Sequence, residues 1–181
     1  MNIFCGAPTD KCGREDREIR VYEFLESLGI DFERCDHAPA LTMEDCKEID
    51  GALGVDMCKN LFLCNRQKTD FYLLLMPSDK PFRTKLVSAQ LGVARLSFAS
   101  AEDMERLLDI HPGAVSVMGL MNDREREVRL LVDDELKECE FFGCHPCVNT
   151  SSLKISSKEV FERFLPAVNH APTYLKLERE E

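Results

Sequence analysis

The sequence lacks any apolar run long enough to cross a lipid bilayer. Runs such as residues 71–76 are far shorter than the roughly 20 residues that a transmembrane helix needs. The first four residues also lack the charged and apolar regions of a secretory signal. We therefore expect a cytoplasmic protein that does not contact a membrane.

Repeats, low-complexity tracts and long linkers are absent as well. A chain of 181 residues without them suits one domain that encloses a single core, so we predict one domain spanning residues 1–181. The formal net charge of -10 argues against a protein that coats nucleic acid indiscriminately, and we expect no DNA partner. A local basic patch is still compatible with this charge.

The nine cysteines are odd in number and scattered, so they do not form a disulfide framework. Cys144 and Cys147 make one CxxC pair, which is compatible with a redox pair or with half of a zinc site. A redox pair needs a following helix, and residues 148–157 show no helical period. A structural zinc ion needs four ligands, which only the distant Cys5 and Cys12 could complete. We expect free, mostly buried thiols, no metal and no cofactor.

The pattern of apolar residues and caps predicts strands and helices mixed along the chain. The predicted helices are 14–28, 42–53 with Thr42 as its cap, 81–91, 100–108 and 157–165, and the predicted strands are 31–35, 58–65, 70–76, 127–132, 138–142 and 153–155. Strands 58–65 and 70–76 are joined by a polar turn and should form an antiparallel hairpin. Their high apolar content favours a sheet that is covered on both faces, or a closed barrel-like sheet with helices outside. The charged tail 175–181 should bury little.

Three segments carry polar or small residues where chemistry is expected. Residues 143–152 place an imidazole, an amide, hydroxyls and two thiols in a predicted loop between strands. Lys59 and Asn60 interrupt an otherwise apolar strand, and a charge inside a buried strand needs a reason. Residues 114–119 form a small, apolar run between glycines, which lets backbone approach a ligand closely. The alternative is a strand that ends in a turn.

These segments together resemble, in order and spacing, the YbaK/ProX family of aminoacyl-tRNA deacylases, especially its free-standing prolyl-tRNA editing proteins. The matching residues are Lys59-Asn60-Leu61-Phe62-Leu63, Pro112-Gly113-Ala114-Val115-Ser116 with Gly119-Leu120-Met121-Asn122-Asp123, and His145-Pro146 with Asn149, Ser151 and Ser152. The resemblance covers approximately residues 14–166. It implies a mixed α/β fold whose curved, barrel-like sheet is wrapped by helices, and hydrolysis of the ester that joins a wrong amino acid to tRNA.

The resemblance also implies roles for particular residues. Lys59 takes the family's catalytic lysine position, and a donor in a water-poor pocket supplies about 3 kcal/mol to a developing oxyanion. His145 takes the loop histidine position, where it either places the terminal adenosine or shares in proton transfer. The implied substrate-binding residues are Asn60, Gly113, Ala114, Val115, Ser116, Gly119, Pro146, Asn149, Ser151 and Ser152. A water, activated with help from the substrate's ribose, attacks the ester without metal or cofactor.

The implied substrate is mischarged tRNA(Pro), with prolyl-tRNA synthetase as a second candidate partner. A missing methylene is worth only about 1 to 3 kcal/mol in binding, so a second, smaller pocket that admits alanine and excludes proline is useful. We therefore predict an Ala-tRNA(Pro) deacylase. Val117 and Met118 depart from the family's proline and larger side chain, and this puts the acyl specificity in doubt. The alternatives are a Cys-tRNA(Pro) deacylase and a non-catalytic sensor of amino acid or aminoacyl-tRNA.

Overall fold

The computed structural model describes residues 1–40 and 43–179, which form two β-sheets and five helices. The strands are β1 (Ile3–Cys5), β2 (Phe32–Asp36), β3 (Lys59–Cys64), β4 (Phe71–Met76), β5 (Ser97–Phe98), β6 (Val128–Asp133), β7 (Phe141–Cys144), β8 (Ser151–Ser156) and β9 (Thr173–Leu175). The helices are α1 (Asp16–Ser27), α2 (Met43–Leu53), α3 (Thr84–Leu91), α4 (Ala101–Leu108) and α5, which runs through Ser157–Glu159, a π-helical turn at Val160–Phe164 and Leu165–Ala167. Short 3-10 helices cover Val117–Met121 and Asp134–Glu138.

Local signals fix several helix ends as the sequence predicts. The Ser100 hydroxyl accepts the backbone N–H of Asp103 at the start of α4, which satisfies one of the free donors of the first turn. Gly92 ends α3 with a φ of 67°, a left-handed conformation that glycine adopts without strain. The predicted cap Thr42 lies outside the described residues.

The five-stranded sheet has the order β5-β3-β4-β6-β9 and is apolar on both faces. β3 and β4 form the predicted antiparallel hairpin, whereas β6 and β9 add to it in parallel. On one face, a large core lies between this sheet, the second sheet and helices α1, α4 and α5. On the other face, Val87 of α3 packs with Leu175 and Leu177. The expectation of a sheet covered on both faces is confirmed.

The second sheet has the order β1-β2-β8-β7, and every pair in it is antiparallel. A single parallel bridge between Met57 and Gly143 connects it to the start of β3, and Cys58 donates its N–H to the Gly143 carbonyl at 3.2 Å. The two sheets are therefore joined by this bridge and do not close into a barrel, so the closed-barrel alternative is wrong. No described helix combines the length and apolarity needed to span a membrane.

The predicted bounds of one loop and one strand need correction. The predicted loop 143–152 is shorter, because Gly143 and Cys144 belong to β7 while Ser151 and Ser152 pair with β2 inside β8. Strand 138–142 begins only at Phe141, after a 3-10 helix.

The C-terminal tail also buries side chains. Leu175 lies in β9, Leu177 is 6% exposed, and Arg179 binds Asp79 and Glu135. The charged residues of the tail gave no indication that Leu175 ends the parallel edge strand β9.

Candidate active site

Lys59 and Asn60 face opposite sides of β3. Asn60 lies on the same side as Phe62 and Cys64, which belong to the large core, because side chains alternate along a strand. Its amide N–H donates to the Cys58 carbonyl at 2.8 Å, and its Oδ1 is buried without a hydrogen-bond partner in the described structure. Lys59 faces the other side, where its Nζ donates to the Lys80 carbonyl at 2.6 Å.

The bridge between Met57 and Gly143 sets Lys59 beside the histidine loop. The two segments run parallel from this bridge, and Lys59 and His145 each lie two residues beyond it. Strand alternation turns Lys59 away from the large core, toward the side of β3 that carries Leu61 and Leu63. One residue earlier on each segment, Cys58 and Cys144 both face the core. The bridge thus brings the segment of the lysine beside the segment of the histidine, although 86 positions separate the two residues in the sequence.

Gly143 permits this approach. A Cβ at this position would lie 2.9 Å from the Asp56 carbonyl oxygen and 3.0 Å from both the Cα and the Sδ of Met57. Two of these three atoms are backbone, so no side-chain rotation relieves the contact. Glycine at this position lets the two strands meet.

His145 is held through one ring nitrogen. Its Nδ1 lies 3.0 Å from the Ser151 carbonyl oxygen and 3.3 Å from the Ser152 hydroxyl. A carbonyl oxygen only accepts, so Nδ1 carries the proton and Nε2 presents a lone pair. Burial lowers the pKa of His145, although the bond to Ser151 opposes the shift, and the ring is therefore neutral at neutral pH. A neutral imidazole with an open Nε2 can accept a proton or a hydrogen bond.

Ser116 joins the glycine-containing segment to the histidine loop. Its hydroxyl donates to the backbone carbonyl of His145 at 2.5 Å and accepts the N–H of Met118, which caps the 3-10 helix Val117–Met121. Gly113 lies nearby, because a Cβ built on it would be 3.6 Å from the Asn149 side-chain nitrogen. The second and third motifs of the sequence therefore contact each other.

The remaining predicted substrate-binding residues differ in their surroundings. Ala114 and Pro146 are buried, while Val115 and Asn149 are partly exposed. Gly119 is a packing residue, because a Cβ there would lie 2.6 Å from Ile110 Cδ1 and 3.1 Å from the Leu108 Cβ. This glycine lets α4 and the 3-10 helix pack closely and does not reach the outer face.

Ser151 and Ser152 are anchored on opposite sides of β8. The Ser151 hydroxyl lies 3.0 Å from the Tyr22 hydroxyl, which donates to Glu18 at 2.7 Å. Arg14 binds Glu18 and Asp36 together and connects α1 to the end of β2. Burial alone would raise the Asp36 pKa, but hydrogen bonds from Arg14 and Arg34 lower it to about 2. The carboxylate stays ionised and keeps this network rigid.

The CxxC thiols lie inside the protein. Cys144 and Cys147 are free, 0% and 1% exposed, and burial raises both pKa values, that of Cys147 to about 12. A thiol protonated to this extent is a poor nucleophile and a poor metal ligand. Cys147 also has a φ of 63°, the left-handed region that shapes the turn before Asn149.

His37 lies next to Ser152 and His145, although none of the three sequence motifs contains it. It follows β2, and its Nε2 lies 2.9 Å from the Ser152 hydroxyl. Its ring centroid is 6.4 Å from that of His145. A histidine before Ala38-Pro39 carries no helical or strand period, so only the pairing of β2 with β8 brings it here.

Concave surfaces flank this area without coinciding with it. One, of about 790 Å³, lies at the other end of β2 and β8 and includes Phe32, Lys154 and Arg163. A second, of about 400 Å³, includes Met57 and Cys58, directly before Lys59. The second borders the start of β3 and is the nearer of the two to the candidate site.

Many basic residues that could form a rim for tRNA are engaged in ion pairs. Arg17 contacts Glu15, Glu105 and Asp109, and Lys68 contacts Asp103. Lys80 is 4% exposed and binds Asp133. These charges are largely neutralised within the chain, so they contribute little to a positive surface.

Comparison with known proteins identifies the family. Residues 37–162 match the family described as the aminoacyl-tRNA editing domain, and this match covers more than half of the chain. The chain belongs to this family. The match includes all three motifs, and it begins at His37.

Individual relatives agree with this assignment. The chain is 29% identical over 145 residues to the prolyl-tRNA editing protein ProX of Acetoanaerobium sticklandii, covering 80% of this chain and 88% of the relative. It is 28% identical to the prolyl-tRNA synthetase associated domain-containing protein 1 of Danio rerio, covering 90% and 89%. A solved structure described as "a putative trans-editing enzyme for prolyl tRNA synthetase" superposes with a TM-score of 0.66 at 16% identity, covering 91% and 99%. The last comparison shows a shared fold.

Proposed function

We propose that this chain hydrolyses the ester of mischarged tRNA(Pro), with Ala-tRNA(Pro) as its main substrate. The observation that supports the proposal is the bridge between Met57 and Gly143, because the lysine and the histidine of two family motifs each lie two residues beyond it. The ProX relative, a prolyl-tRNA editing protein by name, supports the tRNA identity. Prolyl-tRNA synthetase is a proposed partner, because the Danio rerio relative is named for an association with it.

Lys59 acts in this proposal as the electrophilic group. An ammonium has three donors, and the Lys80 carbonyl takes one, which leaves two for the substrate. The hydrogen bond to Lys80 also holds the Nζ in place before the substrate arrives. A donor already in position stabilises the oxyanion that forms when water attacks the ester carbonyl.

His145 acts as the proton acceptor or as the ligand of the terminal ribose. Its Nε2 is unprotonated because Nδ1 donates to the Ser151 carbonyl. A ribose hydroxyl or the attacking water can therefore donate to Nε2 without any prior proton loss. Ser116 fixes the position of the histidine loop by donating a hydrogen bond to the His145 carbonyl. Gly113 and Asn149 lie at the same edge and form the proposed wall for the acyl group.

The acyl preference follows from the size of the residues on this wall. Gly113 and Ala114 add little bulk, which favours a small side chain over the proline ring. A thiol-bearing side chain is only slightly larger than alanine, so Cys-tRNA(Pro) is the second candidate substrate. The buried core beneath the wall, including Val117 and Met118 at 0% exposure, limits how far a larger group can enter.

The test is the hydrolysis of Ala-, Cys- and Pro-tRNA(Pro) by the wild type, Lys59→Ala and Lys158→Ala. Lys158 is a matched control, because its side chain is 74% exposed on α5. We expect alanine release with a kcat/KM about 100-fold lower in Lys59→Ala, the effect of losing about 3 kcal/mol of oxyanion stabilisation. Lys158→Ala should behave as wild type.

The other outcomes have distinct meanings. Release of cysteine in place of alanine keeps the mechanism and changes the substrate. Unchanged turnover by Lys59→Ala removes the lysine from the chemistry. If the protein binds Ala-tRNA(Pro) but releases no amino acid from any of the three substrates, the chain is a non-catalytic sensor on the same fold.

A further inference from the structure

A chain of hydrogen bonds links His145 to a second histidine. The His145 Nδ1 lies 3.3 Å from the Ser152 hydroxyl, and this hydroxyl lies 2.9 Å from the His37 Nε2. The His37 Nδ1 lies in turn 2.8 Å from the Ala38 carbonyl oxygen. Ser152 is 0% exposed, so this connection is shielded from water.

The donors and acceptors of this chain determine its proton positions. The Ala38 carbonyl only accepts, so the proton of a neutral His37 is on Nδ1 and its Nε2 accepts. The Ser152 hydroxyl then donates to His37, and its oxygen lone pairs face the Nδ1–H of His145. His145 is thereby held with its proton on Nδ1, shared between Ser151 and Ser152, and with its lone pair on Nε2.

We propose that His37 is a positioning residue for the deacylation reaction, which acts through Ser152 to hold His145 in the tautomer whose Nε2 accepts a proton. The proposal rests on the proposed function, because it takes His145 as the residue that meets the substrate. It adds a residue outside the three motifs and assigns Ser152 the role of relay. The arrangement needs no new bond, since only the direction of existing hydrogen bonds matters.

Protonation of His37 would reverse this chain. The Nε2 of an imidazolium donates, so the Ser152 oxygen would accept from His37 and turn its own hydrogen away. The same proton adds a positive charge 6.4 Å from the His145 ring. The other titratable groups around the pair are Asp36 with Arg14 and Arg34 next to His37, Cys144 and Cys147 next to His145, and Glu18 behind Ser151.

The first test is a spectroscopic one that requires no turnover. Nitrogen-15 NMR of the imidazole rings distinguishes a protonated Nδ1 from a protonated Nε2. In the wild type at pH 7.5 we expect His145 to be protonated on Nδ1. In His37→Leu and in Ser152→Ala the Ser151 carbonyl alone holds the Nδ1 proton, so we expect the tautomer protonated on Nε2 to become detectable as a minor form. Ser156→Ala, a serine on the same face of β8, should match the wild type. An unchanged His145 spectrum in both folded variants would overturn the proposal.

The second test is the kinetics of alanine release at a fixed pH of about 7.5, the pH of the NMR test. His37→Leu should lower kcat about tenfold with little change in KM, the usual size of an effect from a lost supporting hydrogen bond. Glutamine at position 37 offers an amide oxygen near the place of Nε2 and does not titrate. His37→Gln should restore part of the lost activity.

The two tests separate the inference from the function on which it rests. If the wild type releases no amino acid, the proposed function fails and the NMR result still decides the tautomer question. If the wild type is active but His37→Leu keeps its kcat, the positioning role is wrong and the deacylase assignment is unaffected.

Discussion

Gly143→Ala should disrupt the site by separating the strands that carry its two main residues. The new methyl would lie 2.9 Å from the Asp56 carbonyl oxygen and 3.0 Å from the Met57 Cα. Overpacking of this kind costs about 1 to 3 kcal/mol. For a chain of this size that corresponds to a fall in Tm of about 3 to 10 °C. The strain is relieved when Met57 moves away from Gly143, and this shifts Lys59 relative to His145.

The effect on activity should therefore exceed the effect on stability. A misplacement of about 1 Å reduces turnover by about 100-fold, so we expect a loss of this size well below the Tm, where the variant is folded. Gly51→Ala is the matched control, because it lies in α2 with no atom within 4 Å of the added Cβ. It should gain about 0.5 to 1 kcal/mol from helix propensity and keep its activity. Thermal unfolding by circular dichroism and alanine release at 25 °C measure both quantities. A Gly143→Ala protein with wild-type Tm and turnover would show that the close approach does not matter, and a loss of Tm with full turnover would separate the bridge from the site.

Three further predictions concern the residues around the site. Ser116→Ala should lower kcat about tenfold and leave the fold intact, because the His145 carbonyl loses the hydroxyl that donates to it at 2.5 Å. The control is Ser116→Thr, which keeps the hydroxyl. Equal kinetics for the alanine and threonine variants would show that this hydrogen bond does not support the histidine loop. Gly113→Ala should destabilise by about 1 to 2 kcal/mol through its φ of 91° and not through the neighbouring Asn149 at 3.6 Å, so denaturant unfolding should show a loss that Asn149→Ala does not rescue. The Asp123 carboxylate accepts hydrogen bonds from His170 and from the backbone N–H groups of Glu127 and Val128. Burial alone would raise the pKa of Asp123, but these hydrogen bonds lower it. Its contribution to stability is therefore complete above the unfolded-state pKa of about 3.9, and it is lost as pH falls through the lower folded-state pKa. Asp123→Asn should then cost about 2 kcal/mol at pH 7 and weaken the fall of stability between pH 5 and pH 2, and parallel stability curves for the two proteins would contradict this.

The local fold was predictable wherever one signal decides an element. The hairpin of β3 and β4 follows from two apolar runs around a polar turn, and α4 follows from Ser100 and Asp103. The residues near 117 were harder, because a small apolar run between glycines suits a strand as well as the 3-10 helix that forms. Here tertiary contact decides, since the Ser116 hydroxyl caps the helix while it holds another loop.

Elements that pair only over long distances carried no local signal. The strand β9 is only three residues long and has a single buried residue, Leu175, so it is recognisable only from its pairing with β6. The bridge between Met57 and Gly143 is of the same kind, because neither residue belongs to a pattern that names its partner. The apolar strands suggested a closed barrel, but a single bridge joins the two sheets and does not close them into one.

The same limit explains which parts of the site were accessible from the sequence. Motif spacing identified Lys59 and His145 as candidates, and strand alternation gave the opposite orientations of Lys59 and Asn60. Neither consideration could find His37, because its place depends on the register in which Cys35 lies opposite Ser152. A shift of that register by one residue would turn Ser152 to the core and break the link between the two histidines. The geometry of this site is therefore set by strand pairing, and variants that alter the pairing of β2 with β8 should affect the chemistry of His145 without touching it.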